Sequence, residues 1–140
     1  MIKYVLFALL LAANGFAGQL SSYDQAVDAL KEGKRIKYLI DWDLCYSNFP
    51  DVKPNFLSSY RPDNINIDKS GFLQSSGVRY THEIKMIPGL GPVNQAYVYT
   101  FSKNNELHVI NRFIDPVTFE EKMTAIEVTC ELGKGFKVFS

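Results

Sequence analysis

Apolar positions along this chain follow several different spacings, and each spacing predicts a different element. The first is a solid run, Tyr4 to Ala13, preceded by Lys3 and closed by Asn14. The second is helical. Tyr23, Ala26, Val27 and Leu30 stand at i, i+3, i+4 and i+7 and form a stripe on one face of a short helix. Ser21 or Ser22 can cap it, and Ser22 has Gln25 three residues on, the capping-box spacing. Asp24 and Asp28 lie toward its start and Lys31 toward its end, as the helix dipole favours, and Gly33 stands where a left-handed C-terminal cap belongs. From Lys34 the period becomes two. Ile36, Tyr38, Ile40, Trp42 and Leu44 share one side of a half-buried strand, with Lys37, Asp41 and Asp43 on the other. In an unbroken register Cys45 falls on the polar side, and a bulge near Trp42–Leu44 would turn it inward.

Tyr46 to Pro62 interrupts this order. Pro50, Pro54 and Pro62 oppose helix and ladder alike, and the stretch reads as a long loop held down by Tyr46, Phe49, Phe56 and Tyr60. Such loops either cover a core or bind something. Period two then returns. Strands are expected over 64–68, 77–87, 93–102, 107–115, 124–131 and 136–139, separated by Lys69-Ser70-Gly71, Pro88–Pro92, Lys103–Glu106, Asp115-Pro116 and Leu132–Gly135, with a helical turn at 117–122. One helix and seven strands joined by short turns predict an α+β fold: a short N-terminal helix followed by an antiparallel β-meander forming a strongly bent sheet or open barrel.

The opening run changes the compartment. Lys3, the apolar run and Gly15-Phe16-Ala17 form a secretory signal with cleavage expected after Ala17. A membrane-spanning helix needs about 20 apolar residues, so no insertion is expected once the signal is removed. Residues 18–140 are then one exported domain, secreted or periplasmic, and a monomer. In an oxidising compartment the two cysteines, Cys45 and Cys130, have one intramolecular pairing, closing a loop of 85 residues. An intermolecular bond or two free thiols are the alternatives. Their spacing is not that of a redox CxxC. A net charge of zero gives no reason to expect nucleic acid or an anionic membrane as partner.

Catalytic spacing is absent. Asp41 and Asp43 are paired carboxylates at i, i+2, and His82 and His108 are the two histidines. A hydrolase or a metal site built from them is the least favoured reading, since no HxH, HExxH, Gly-x-Ser-x-Gly or phosphate-loop pattern supports either. No cofactor is expected. Aromatic residues make up 14% of the chain, and Tyr80, Tyr97, Tyr99, Phe101 and Phe113 fall where they can line one concave surface.

Three stretches together resemble the VirK family of small exported proteins, first named from plant-associated virulence loci. They are Leu30-Lys-Glu-Gly-Lys-Arg-Ile36 after the helix, Ile40-Asp-Trp-Asp-Leu-Cys45 at the strand end, and Val128-Thr-Cys-Glu-Leu-Gly-Lys-Gly-Phe136. The resemblance implies an exported domain with paired cysteines, here Cys45 and Cys130, and no particular reaction. The function expected is therefore non-enzymatic: binding a protein partner or small molecule through the 46–62 loop and the adjoining sheet mouth, with Tyr46, Phe49, Phe56, Tyr60, Tyr97 and Tyr99 as contact residues. A lipocalin-like carrier of an apolar molecule is the alternative.

Overall fold

The computed structural model describes residues 18–140. The expected signal segment, 1–17, lies outside the described residues. In chain order the elements are β1 (Gln19–Leu20), α1 (Tyr23–Lys31), β2 (Lys37–Asp41), a 3-10 turn (Trp42–Leu44), β3 (Tyr46–Ser47), β4 (Leu57–Tyr60), β5 (Asn66–Asp68), β6 (Phe72–Thr81), β7 (Val93–Ser102), β8 (Glu106–Ile114), β9 (Ile126–Glu131) and β10 (Phe136–Phe139).

The expected single bent sheet or open barrel is instead two antiparallel sheets, and no closed barrel forms. The small sheet has the order β1-β10-β2-β4, and the large one the order β3-β9-β8-β7-β6-β5. The meander is present within the large sheet, where β5 to β9 are consecutive neighbours. Among the described residues there are ten strands rather than seven, because β1 and β3 are too short to show a period and β4 hides in the proline-rich stretch. That stretch is not one loop. Tyr46 and Ser47 pair with Thr129 and Val128, and Leu57 to Tyr60 pair with β2, so only 48–56 and 61–62 are free of strand.

Local chemistry explains α1. Ser22 Oγ accepts from the Gln25 N–H, and the Gln25 side chain returns a bond to the Ser21 N–H. At the other end the Lys34 N–H reaches the Ala29 carbonyl and the Gly33 N–H reaches Leu30, a Schellman closure. The buried face is Tyr23, Ala26 and Ala29, packed on the same core as both sheets. The Tyr23 N–H also binds Asn105 Oδ1 at 2.8 Å, tying the helix start to the β7–β8 turn.

The chain crosses between the sheets four times, first at the 3-10 turn between β2 and β3 and last at the turn between β9 and β10. The disulfide Cys45–Cys130 joins these two crossings, with Cα atoms 4.5 Å apart. Asp41 sets the first one up. Its side chain accepts from the Asp43 N–H, closing the 3-10 turn, and its own N–H binds the Gly135 carbonyl across the corner. This turn, rather than a bulge, brings Cys45 to Cys130 and ends the alternation. Leu44 is therefore exposed instead of sharing the buried side with Ile36, Tyr38 and Ile40. A Cβ at position 135 would lie 2.8 Å from Cys45 Sγ and 3.2 Å from Cys130 Cβ, so only glycine fits beside the bond.

Two other expectations change. The strand expected over 77–87 is β6, which begins earlier and stops at Thr81; the following turns place Ile84 in a satellite cluster with Val93 and Phe113. Residues 117–122 make no helical turn. The Asp115 carboxylate accepts from the Val117 and Thr118 N–H groups, which holds a tight turn in place of a helix and keeps that carboxyl below its usual range.

Candidate functional site

Register across the large sheet determines what its inner face offers. One row reads Leu73, Phe101, Leu107, Cys130. The next reads Ser75, Tyr99, Val109, Val128, and the one after Gly77, Tyr97, Asn111, Ile126. Beyond them Arg79 stands opposite Gln95 and Gln95 opposite Phe113. The face thus grades from apolar to polar along the strands. Tyr38, Ile40, Phe136 and Val138 of the small sheet cover the apolar end together with α1. The small sheet stops at β4, whose Tyr60 stacks on Tyr99 at 4.1 Å and meets Tyr97 edge-on at 5.7 Å.

Past Tyr60 the inner face is roofed by the 48–56 segment rather than by a strand. The result is a cleft of about 450 Å³. Its floor includes Tyr97, Tyr99, Val109 and Asn111, its roof Phe49, Pro50, Pro54 and Phe56, and one wall Trp42, whose indole N–H donates to Ser58 Oγ at 2.7 Å. The roof is held at both ends. Asn48 makes two side-chain bonds, donating to the Ala125 carbonyl and accepting from the Glu127 N–H. At the far end the Asn55 N–H donates to Asp43 Oδ1 at 3.1 Å, with Asn55 in the left-handed region asparagine tolerates. The Tyr97 ring leans over Gly77, where a Cβ would stand 2.7 Å from it. Any larger residue there would push the ring back into the cleft.

All six expected contact residues, Tyr46, Phe49, Phe56, Tyr60, Tyr97 and Tyr99, line this one cleft. Tyr46 and Phe56 form its rim, 65% and 46% exposed. Sequence reasoning did not single out Lys53, Ser58, Arg79, Gln95 or Asn111 for it. Arg79 sits on the polar alternation of β6, while Gln95 is in phase with Val93, Tyr97 and Tyr99 on β7, the only signal that could have suggested it. The apolar alternates Val78 and Tyr80 face outward and are exposed.

Among the described residues two buried side-chain polar atoms lack partners, Ser75 Oγ and Asn111 Oδ1. Tyr60 neighbours Ser75 closely enough to offset part of the upward push that burial gives its hydroxyl, but no well-formed bond joins them. Burial also raises Tyr38 and Tyr99 above the ordinary tyrosine range; for Tyr99 the neighbouring Tyr60 and Tyr97 add to this and Arg79 opposes it. The sign follows from linkage. A phenol with a raised pKa in the fold contributes stability that is fully present below its unfolded value, about 10, and lost as pH rises toward the folded value. The domain is therefore expected to hold to about pH 10 and then unfold with a rise in tyrosinate absorbance, and Tyr38→Phe should move that midpoint to higher pH. An alkaline midpoint unchanged in Tyr38→Phe would remove Tyr38 as its cause.

The carboxylates and histidines considered for hydrolysis are engaged elsewhere. Asp41 caps the 3-10 turn, Asp43 anchors the roof, His108 pairs with Glu127 at 3.4 Å, and His82 lies against Tyr80. Among the described residues no cluster of three or more His, Cys, Asp or Glu is placed to hold a metal.

The family model described as VirK protein matches residues 19–119. The chain belongs to the VirK family. The matched span holds Cys45, α1, the roof segment and β2 to β8, and Cys130 lies beyond it. A solved VirK family protein from Legionella pneumophila has the same fold: TM-score 0.78, 23% identity, with 89% of this chain and all of that chain covered. No curated protein matches the chain. VirK membership brings no reaction with it. The disulfide suggests an oxidising, exported environment for this VirK chain. No helix among the described residues is long and apolar enough to cross a membrane.

Proposed function

We propose that this VirK domain is a non-enzymatic binding module that takes a small molecule with an apolar or aromatic body in the cleft beneath the 48–56 segment. The cleft carries the reading. Its volume falls within the range of small-molecule sites, about 300 to 1,000 Å³, and its floor, roof and rim each carry aromatic rings. The dispersal of Asp41, Asp43, His82 and His108 favours binding over hydrolysis. Carriage inside a barrel, as in a lipocalin, is less favoured, because Tyr38, Phe101 and Phe136 fill the space between the sheets.

Trp42, the single tryptophan, stands in the cleft wall and serves as reporter. Phenylnaphthylamine, a neutral aromatic probe, is expected to bind one per chain and to quench Trp42 by energy transfer. Phe49→Ala on the roof and Tyr97→Ala on the floor should each weaken it roughly three- to tenfold, the scale of one aromatic contact. Absence of saturable quenching, or affinity unchanged in both variants, would overturn the proposal.

A further inference from the structure

The cleft is charged in one sense only. Its walls carry two ionisable cations, Lys53 and Arg79, and no aspartate or glutamate, in a chain whose net charge is zero. Neither cation forms a salt bridge among the described residues, where the ion pairs are Lys34–Glu32, His108–Glu127, Arg112–Glu121 and Lys122–Asp115. Asp51, the carboxylate of the roof segment itself, does not line the cleft, and Asp43 is turned to the Asn55 N–H. Arg79 is oriented rather than loose. One guanidinium nitrogen donates to Gln95 Oε1 at 3.0 Å, which leaves its remaining N–H groups without a carboxylate partner. A guanidinium presents a planar fork suited to a carboxylate, sulfate or phosphate group, and beside apolar walls its pairing is screened less than in open water.

A second, independent observation points to a polar ligand group. The side-chain oxygen of Asn111, on the cleft floor, is buried without a partner. Leaving such an atom unmet costs stability in the free protein, and a turn of the Asn111 side chain toward the cleft would let a hydroxyl or amide donor on a bound molecule satisfy it.

Resting on the cleft-binding reading above, we infer that the ligand is a small organic anion: an apolar or aromatic body held between Tyr97, Phe49 and Trp42, with its acidic group at Arg79 and Lys53. A purely apolar molecule would leave both cations and the Asn111 amide unused, and an organic cation would meet like charge at the mouth.

The test compares two probes that share one aromatic skeleton. Anilinonaphthalenesulfonate carries a sulfonate that phenylnaphthylamine lacks. The sulfonate is expected to bind the purified chain about tenfold more tightly, the lower end for a charge-assisted bond because Arg79 is exposed. That preference should shrink as salt rises. Arg79→Gln should bring the two affinities together, whereas Arg79→Lys should retain part of the difference. Equal affinities with full Trp42 quenching by both probes would overturn the anionic assignment and leave cleft binding standing. A sulfonate preference unchanged in Arg79→Gln and in Lys53→Gln would overturn it as well. Failure of both probes to quench Trp42 would remove the cleft reading and this inference together.

Discussion

Reducing the Cys45–Cys130 bond is expected to lower the stability of this domain by about 4 to 5 kcal/mol, the chain-entropy value for a loop of 85 residues. The whole stability of a typical domain is about 5 to 15 kcal/mol, so the reduced protein should be close to unfolded at body temperature. The reason is where the bond sits. It joins the first and the last of the four points at which the chain passes from one sheet to the other, and the strands leaving those points are short: β3 has two residues and β10 four. Few local contacts hold either crossing once the link is cut. The Cys45→Ala, Cys130→Ala double variant should behave like the reduced form. Urea unfolding with and without reductant measures the effect, and coincident midpoints would show that the corner holds without the bond.

Phe101→Ala should cost about 3 to 5 kcal/mol, the range for deleting a buried aromatic ring. Phe101 is fully buried and its ring meets three others, in the helix and in the small sheet: Tyr23 of α1 at 5.5 Å, Phe136 of β10 at 5.3 Å and Tyr38 of β2 at 6.3 Å, each edge-on. Removing it leaves a hole that helix and small sheet would have to collapse into together. Val117→Ala, at a side chain 81% exposed, is the control and should change stability little. A Phe101→Ala midpoint matching that of Val117→Ala would mean the sheets do not pack through this ring.

Several elements were legible because their causes are local. The Ser22 cap, the Tyr23–Ala26 face and the Gly33 end of α1 depend on residues within one or two turns of each other. β7 was readable to the residue, since Val93, Tyr97, Tyr99 and Phe101 keep period two with only Gln95 polar among them. Asn105 sits in the left-handed turn that asparagine suggested. Family membership and the cysteine pairing were legible too, because two cysteines have one intramolecular pairing and the motifs flank them.

The cleft was legible only in part, and the two sheets were not. Alternation says which residues share a face, and it does not say which face another element will cover. In β6 the apolar alternates Val78 and Tyr80 point to solvent while Gly77 and Arg79 point inward, because the roof and Tyr97 lie on that side. Leu57–Tyr60 reads as loop beside its prolines, yet β2 needs a neighbour and pairs with it. Alone, the sequence determined the family, the helix, most strand segments and the cysteine pair. Only the tertiary structure decided that the chain splits into two sheets of unequal width, leaving the polar end of the larger one to be roofed by 48–56. Both decisions rest on contacts between segments tens of residues apart, whose energy no local pattern records.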